Sequence, residues 1–499
     1  MKYIGQFFRM NSLSIEEIES QLLFFCRESL KHIVLESRCG ICINYKNLKP
    51  LASGHYIERF KNNTPLLCVY KKAKPNIYSS KYSKSWDIST FKKEILISPN
   101  ALMTLSILES TKYYDNFQGV DDSIYDISKL YKDLSKIQLE FYYNHLRNNE
   151  GFFVNKKDEK QADSKEFNFS EKDSDFNFVD QGYMMLSYYL YSIICKDNEN
   201  SLDFKNFSLE ILDMFDSLKE NLYLESFNNC CNLCLIFNTM YEYSKEEKCK
   251  NLLIDLSEFT LSKYTESTVS LSNIENITLL SLNMLLTYKN TNISLFKDSF
   301  NDISTLLKNL YDEEKSILKK PNDKKEIKYY SKELIPFLVN TIAYSHENNI
   351  ENGLSNFISS FYKKYFSDSG LITSFPDAPP LDSSERYNNL SLKSEDLLDE
   401  AMFRIVNSPS PNLSGLASVF TKNITYSTKK NTITNSNTSF DSSINMFLIF
   451  LMLHTLGKYK NEKANNGIMT KKIIESKAYE ESKSYGGNDY ITEIHDLKN

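Results

Sequence analysis

The chain alternates between two kinds of segment. One kind carries apolar residues three or four positions apart with charged residues between them, and the other is apolar on nearly every side. The first spacing is typical of a helix that rests one face on a core, and a helix that is apolar all round is typical of an interior position. We therefore predict alternating amphipathic and interior helices over roughly residues 97–456.

The pattern predicts six pairs of helices. Amphipathic members are expected near residues 128–146, 203–222, 247–264, 294–312, 348–366 and, more weakly, 412–422. Apolar members are expected near residues 180–195, 225–243, 274–289, 331–346, 394–407 and 441–456. A further helix is predicted to begin at Ser98, whose hydroxyl can accept a hydrogen bond from a free amide, with Pro99 in the first helical position.

Composition agrees with an all-α fold. The chain has only 13 glycines and 11 prolines in 499 residues, so turns and helix breaks are few. Apolar residues make up 41% and charged residues 25% of the chain, which is enough apolar material for a substantial core. Because glycine and proline are scarce, the long periodic segments are best interpreted as uninterrupted helices.

Six pairs of amphipathic and apolar helices can pack as a closed ring of two layers or as an open solenoid. We favour the closed ring, because the linkers are very unequal and solenoid repeats keep a tighter period. The organisation resembles the (α/α)6 toroid of the six-hairpin glycosidase-like superfamily over residues 97–456, in pattern rather than in any single motif. The resemblance implies an all-α toroid of repeated helical hairpins.

Three regions are predicted along the chain. Residues 1–96 form an N-terminal extension with one helix and short strands, residues 97–457 form the helical toroid, and residues 458–499 form a polar tail. Residues 156–174 are dense in charge and residues 423–439 are dominated by Thr, Asn and Ser, so both are predicted as solvated loops.

Charge and apolar content limit the partners. The net charge of −6 argues against a nucleic-acid partner, and the apolar stretch Met446–Leu453 is too short for a membrane span. With no signal peptide at the first residues and nine cysteines, reduced thiols and a cytoplasmic location are expected. No phosphate-binding glycine loop is present, so no cofactor is expected.

Two Cys-x-x-Cys pairs and two acidic motifs suggest metal sites. Cys39 and Cys42 could share a zinc ion with Cys231 and Cys234, but the second pair reads as part of an apolar helix. Asp121-Asp122 resembles half of a terpenoid-synthase magnesium motif, although a position just before a helix explains it as well. We therefore expect no metal site.

Two loops share a local pattern with a glycine and an acid seven residues later. Gly151 precedes Asp158, and Gly370 precedes Asp377. Each glycine is predicted to adopt the left-handed conformation near a helix end. Both loops are expected to leave the same end of the ring, where long connections on a rigid scaffold tend to build sites.

The toroid resemblance implies acidic catalytic residues at that end. Glycosidic bond cleavage needs one protonated and one ionised carboxyl group, and by position these are Asp180 and Asp377. The residues expected to hold the substrate are Tyr183, Asp382, Glu385, Arg386 and Tyr387. The alternative for Asp180 is a helix cap with no role in chemistry.

We therefore predict a carbohydrate-active or carbohydrate-binding toroid that uses paired carboxylates for general acid-base chemistry. The single tryptophan, Trp86, weakens this prediction, because sugar pockets often use tryptophan for stacking. The alternative is a non-catalytic helical scaffold that binds a protein partner. Convergence of Asp180 and residues 377–386 in one pocket would favour the enzyme, and their separation would favour the scaffold.

Overall fold

A computed structural model describes most of the chain. It covers residues 13–43, 60, 62–79, 84–160, 167–172, 176–266, 273–312, 314–320, 325–377, 379, 383–387, 415–435 and 438–459. The predicted helix at 394–407 lies outside the described residues, and so do residues 460–499 of the polar tail predicted at 458–499.

Long helices dominate the described residues. In chain order they are α1 (Ile15–Leu35), α2 (Ile97–Tyr114), α3 (Asp122–His145), α4 (Phe178–Ile194), α5 (Ser201–Ser217), the one-turn α6 (Lys219–Leu222), α7 (Phe227–Ser244), α8 (Glu247–Glu266), α9 (Ile274–Thr291), α10 (Ser294–Asn309), α11 (Ser331–Glu347), α12 (Glu351–Phe361) and α13 (442–459). A π-helical segment, Tyr362–Ser367, extends α12.

The helices fall into an inner and an outer set. The inner helices α2, α4, α7, α9, α11 and α13 are buried along nearly their whole length. This was predicted from the apolar sequences of all of them except α2, which was expected only as a further helix. Among the outer helices, α3, α5, α8, α10 and α12 each pack against the inner helix that precedes them. At the beginnings of several helices, a side chain accepts hydrogen bonds from free backbone N–H groups, as Asp121 does for α3 and Asn177 for α4.

Neighbouring inner helices pack together in chain order from α2 to α11. Helix α13 contacts both ends of this series: His454 Nδ1 lies 3.2 Å from a Glu109 oxygen of α2, and the Tyr459 hydroxyl donates to Glu347 of α11 over 3.1 Å. The last inner helix therefore bridges the first and the fifth.

The outer partner of α13 comes from the opposite end of the chain. Helix α1 packs against α2 and α12, and the Cys26 thiol lies 3.9 Å from the Met452 sulfur of α13. The outer helix predicted at 412–422 is wrong: from residue 415 onward this stretch is extended, with Leu416 bridged to Asn76 and Phe420 to Ile372.

Short antiparallel strands cover the helices. They are β1 (Gly40–Cys42), β2 (Leu66–Val69), β3 (Lys72–Ala73), β4 (Tyr78–Ser79), β5 (Lys84–Ser85), β6 (Glu94–Ile95), β7 (Lys156–Asp158), β8 (Phe169–Glu171), β9 (Tyr311–Asp312), β10 (Ile317–Leu318), β11 (Glu326–Tyr330), β12 (Asn423–Ser427), β13 (Thr432–Thr434) and β14 (Phe440–Asp441). The three-stranded sheets are β6-β7-β8 and β11-β12-β13. The strands expected in residues 1–96 are present, whereas the two segments predicted as solvated loops also form strands.

The inner helices run parallel. Contacts join first turn to first turn, as between Asp180 and Ser98, and last turn to last turn, as between Tyr459 and Glu347. The amino ends of these helices therefore face one side of the molecule. No described helix is both long enough and apolar enough to cross a membrane.

Candidate functional site

The inner helices expose polar side chains in their first turns, at their shared amino end. Every inner helix contributes, and each contributing side chain is partly buried while most of its helix is fully buried. We call this set the polar rim: Ser98, Asp180, Asn228, Asn232, Glu275, Lys332 and Ser443. One end of the helical body thus gathers hydroxyl, amide, carboxyl and ammonium groups.

Asp180 is the best-defined carboxyl group of the rim. Its Oδ1 accepts hydrogen bonds from the Ser98 backbone N–H, over 3.0 Å, and from the Ser98 hydroxyl. Burial raises the pKa of Asp180 to about 6, although the bonds from Ser98 oppose the rise. Asp180 can therefore change its protonation state close to neutral pH.

A chain of amide groups runs from α4 to α9 along the rim. The Tyr183 hydroxyl donates to Asn232 Oδ1 over 3.0 Å, and Asn232 Nδ2 donates to the Asn228 carbonyl over 2.9 Å. Asn228 Nδ2 then donates to Asn276 Oδ1 over 2.6 Å. The Tyr183 ring is 1% exposed, so this residue can offer a ligand little aromatic surface.

Glu275, in the first turn of α9, is the second rim carboxyl group with a shifted pKa. Burial raises the pKa of Glu275, and the nearby Glu333 adds to the rise, while Lys332 opposes it. The Lys332 ammonium lies 3.6 Å from Glu275 Oε1. The rim thus holds two carboxyl groups whose surroundings favour the protonated form.

A cavity of about 260 Å³ opens beside Glu275 and Lys332. It lies where α9, α11 and α13 begin and where β11 and β14 end. Its remaining lining residues are Tyr330, Lys422, Asp441, Ser443 and Ile444. A cavity of this volume is slightly below the usual range for small-molecule pockets, so it suits a ligand the size of a single sugar ring.

The acidic loop predicted to face Asp180 runs elsewhere. Phe375 packs against Phe24 and Phe25 in the middle of α1, and the exposed Asp377 follows two residues later. Glu385 then accepts a hydrogen bond from the Tyr113 hydroxyl, over 3.0 Å, in the last turn of α2.

Glu385 and Asp180 therefore lie at opposite ends of α2. From Ser98, which bonds Asp180, to Tyr113 the helix rises about 22 Å. Among the described residues of the 377–386 loop, Glu385 therefore does not converge with Asp180. Asp382 lies outside the described residues, and Arg386 and Tyr387 belong to a short 3-10 turn, Ser384–Tyr387, next to Glu385.

The two glycine loops do reach the rim end. Gly151 and Gly370 have φ angles of 92° and 75°, so the predicted left-handed conformation is confirmed at both. Phe153 N–H donates to Gln181 in the first turn of α4, which places the first loop beside Asp180.

Sequence reasoning missed a charged cluster at the opposite end of the inner helices. Glu109, in α2, accepts hydrogen bonds from the Tyr243 hydroxyl at 2.5 Å and the Lys112 ammonium at 2.6 Å, and it faces His454. Glu242 of α7 binds Lys458. The interruption of the apolar run by His454 was the only sequence signal.

Burial and charge act in opposite directions in this cluster. Burial raises the pKa of Glu109, but Lys112 and His454 together hold it well below its usual range. Burial lowers the pKa of His454, and the Lys458 ammonium lowers it further. The buried Glu109 is therefore ionised and stabilised by its partners.

A second cavity, of about 400 Å³, lies away from the rim residues. The π-helical segment after α12 and the hairpin β12–β13 border it, and its charged residues are Lys363, Lys364 and Asp368. Burial lowers the pKa of Lys364 and raises the pKa of Asp368. None of the predicted site residues lines this cavity.

The two Cys-x-x-Cys pairs lie on separate elements. Cys42 belongs to β1, with Cys39 just before it, while Cys231 and Cys234 are fully buried in α7. Cys231 lies against the Asn276 carbonyl and Cys234 against the Thr260 hydroxyl. Burial raises the pKa of Cys234 to about 12, which disfavours the thiolate form that metals bind.

Comparisons with known proteins give no family. No protein-family profile matches the chain, and no curated protein sequence matches it significantly. Among solved structures, D-mannose isomerase is similar with a TM-score of 0.48 and 8% identity, over 79% of this chain and 92% of that chain. An endoglucanase from the termite Nasutitermes takasagoensis has a TM-score of 0.41 and 12% identity, over 89% and 99%. Similarity at this level assigns neither an activity nor a substrate to the chain.

Proposed function

We propose that the chain binds a carbohydrate of about one sugar ring at the polar rim and acts on it by general acid-base chemistry. The helices form a closed (α/α)6 toroid in this proposal, with α1 and α13 as the sixth pair. Asp180 and Glu275 are the proposed acid-base groups. The observation that carries the proposal is the convergence of polar side chains from all six inner helices at one end, beside a cavity.

The composition of the rim suits a polyhydroxylated ligand. Carboxylate, amide and hydroxyl groups can each donate or accept hydrogen bonds with sugar hydroxyls. Within the part of the chain that the structure describes, the second carboxylate oxygen of Asp180, Oδ2, accepts no hydrogen bond. That oxygen is available to a ligand.

The pKa shifts suit proton transfer. A general acid or base works best when its pKa lies near the operating pH, and Asp180 has a pKa of about 6. Burial also raises the pKa of Glu275. In this proposal Glu275 takes the place of Asp377 as the second acid-base group, because Glu275 lines the cavity and Asp377 follows a segment packed on the middle of α1.

Ligand binding tests the proposal. Thermal unfolding of the full chain would be followed with a panel of mono- and oligosaccharides, for the parent protein and for Asp180→Asn and Glu275→Gln. We expect a sugar that raises the melting temperature in a concentration-dependent way, and a smaller rise in both variants. Incubation of that sugar with the parent protein, followed by NMR, would detect its conversion.

Matched controls come from outer helices. Asp203→Asn changes an exposed acid in the first turn of α5, and Glu247→Gln does so in α8. Both controls should respond to the sugar like the parent. If no sugar binds, or if rim variants and controls respond equally, the proposal fails.

A non-catalytic scaffold is the second candidate, and the separation of Asp180 from Glu385 favours it. A scaffold needs an exposed surface for its partner, and the described surface includes apolar side chains such as Leu224, which is 85% exposed. Absence of sugar binding, together with co-purification of one stoichiometric protein partner, would support this function instead.

A further inference from the structure

The charged groups of the rim cavity do not balance. Glu275 and Asp441 supply two carboxylates, and each already has a lysine nearby: Lys332 lies 3.6 Å from Glu275, and the Lys72 ammonium lies 3.5 Å from Asp441. Lys422 also lines the cavity, and among the described residues its ammonium group forms no ion pair. The lining itself holds two carboxyl groups and two ammonium groups. Because Lys72 compensates Asp441 from outside the cavity, one surplus positive charge remains at Lys422.

The backbone fixes Lys422 in this position. Its carbonyl accepts hydrogen bonds from the Ser331 backbone N–H at 3.2 Å and from the Ser331 hydroxyl at 3.1 Å. Ser331 is the first residue of α11, so Lys422 is held beside Lys332. The adjoining strand pair between β11 and β12, in which Tyr330 opposes Asn423, fixes the same region.

From this surplus we infer that the cavity takes an anionic sugar, one that carries a carboxylate or a phosphate group, and that Lys422 selects it. The inference rests on the proposed carbohydrate function and specifies its substrate class. An ammonium group without a counter-ion attracts an anionic ligand. It does not prevent the hydroxyl groups of that ligand from forming their own contacts.

The remaining lysines contribute less to this selection. Lys332 shares its charge with Glu275 and also lies 5.2 Å from the centre of the Phe447 ring. Lys72 contacts Asp441 but does not itself line the cavity. Neutralising Lys422 should therefore remove the surplus charge with the smallest change to existing contacts.

Calorimetric titration of the full chain tests the inference. Glucuronate and glucose 6-phosphate would be compared with glucose, for the parent protein and for Lys422→Met. We expect the parent to prefer at least one anionic sugar by about fivefold or more, since one opposite charge nearby contributes about 1 kcal/mol or more. The preference should weaken as salt is added and should disappear in Lys422→Met.

Two variants serve as controls. Lys422→Arg keeps the charge and should keep the preference. Lys429→Met removes the same charge from an exposed position in the turn that follows β12, and it should behave like the parent. Comparing the carboxylate with the phosphate sugar identifies which anion the cavity accepts.

The possible outcomes separate the two proposals. Equal binding of neutral and anionic sugars would overturn the inference and leave the carbohydrate function standing. A preference that survives Lys422→Met but is lost in Lys364→Met would place the anion in the second cavity and also overturn it. Failure of every sugar to bind would count against both the inference and the proposed function.

Discussion

Asp180 of α4 caps a helix other than its own. Its Oδ1 accepts hydrogen bonds from both the backbone N–H and the hydroxyl of Ser98, in the first turn of α2, while Asn177 caps α4 itself. Helix α2 begins at Ile97 with no side-chain cap at Leu96, so the predicted cap at Ser98 is wrong. The neighbouring helix supplies the missing acceptor, which ties the first two inner helices together at the rim.

Replacing Asp180 by Asn should change the pH dependence of stability more than stability itself. The pKa of Asp180 is about 6 in the folded protein against 3.8 as its ordinary value, so the folded state binds the proton more tightly. The contribution of Asp180 to stability should therefore fall by about 2 kcal/mol as pH rises from about 4 to about 6. Asp180→Asn should lack this fall.

Urea denaturation at pH 4, 5, 6 and 7 measures this difference. The control Asp203→Asn should retain the slope of the parent, because Asp203 is an exposed acid at the start of an outer helix. Equal pH dependence of stability in the parent and in Asp180→Asn would contradict the raised pKa of Asp180.

Replacing Glu109 by Gln should destabilise the protein by about 3 kcal/mol at pH 7, because it removes the buried counter-ion of the Lys112 ammonium group and a charged acceptor of the Tyr243 hydroxyl. The pKa of Glu109 is lowered in the folded state, so its contribution is present above about pH 4.5 and is lost as pH falls. Urea denaturation at pH 7 and pH 4 would measure both effects.

The exposed Glu210 of α5 provides the control for Glu109. Glu210→Gln should change stability by less than about 0.5 kcal/mol. Equal effects of the two substitutions would mean that the buried cluster contributes nothing to stability.

Replacing Gly40 by Ala should disrupt the β1–β2 pair. A β-carbon at Gly40 would lie 1.8 Å from the Cys68 carbonyl oxygen, and backbone on the paired strand cannot move away without breaking the ladder. We expect a loss of at least about 2 kcal/mol of stability, measured by urea denaturation. Gly353→Ala in α12 meets no atom within 4 Å and should be neutral or stabilising by up to about 1 kcal/mol.

Trp86 should report on the whole body rather than on a separate N-terminal unit. Its ring packs 4.9 Å from the Phe440 ring just before α13, and its Nε1 donates to His32 of α1 over 2.9 Å. Tryptophan fluorescence and far-ultraviolet circular dichroism should therefore give one coincident unfolding transition. Two separate midpoints would support the predicted N-terminal extension at residues 1–96 as an independent domain.

Periodicity predicted the inner helices closely. The apolar segments expected at 274–289 and 331–346 correspond to Ile274–Thr291 and Ser331–Glu347. A helix that is buried on all sides appears in the sequence as an unbroken run of apolar residues. The first polar residues on either side of the run therefore mark where the helix begins and ends. Five of the six predicted amphipathic helices were also found, and the weakest, at 412–422, was wrong.

The strands were harder to recognise. Residues 423–439 contain Ile424 and Tyr426, which alternate with more exposed residues and are buried in β12. Two buried positions among Thr, Asn and Ser are too few for a period-two signal. The partner strand β11 lies about 100 residues earlier, and local sequence contains no information about such a pairing.

The candidate site was predicted only in part. Asp180 lies at the expected end of the inner helices, because its place at the start of an apolar helix is a local property. The position of residues 371–377 depends on the contacts of Phe375 with Phe24 and Phe25 of α1, which connect distant parts of the chain. In the sequence, Glu275 looks like any other acid in the first turn of a helix. Only its position in the lining of the rim cavity distinguishes it.

The contact of α1 with α13 has a kinetic consequence. Cys26 and Met452 lie 426 residues apart, so α1 leaves the ribosome long before its partner is synthesised. During that interval its apolar residues, such as Phe25 and Leu30, have no final packing surface. Joining such distant segments also makes loop closure slow. Completion of the sixth helix pair should therefore be a late step in folding, and a nascent chain stalled before residue 442 should bind chaperones through α1.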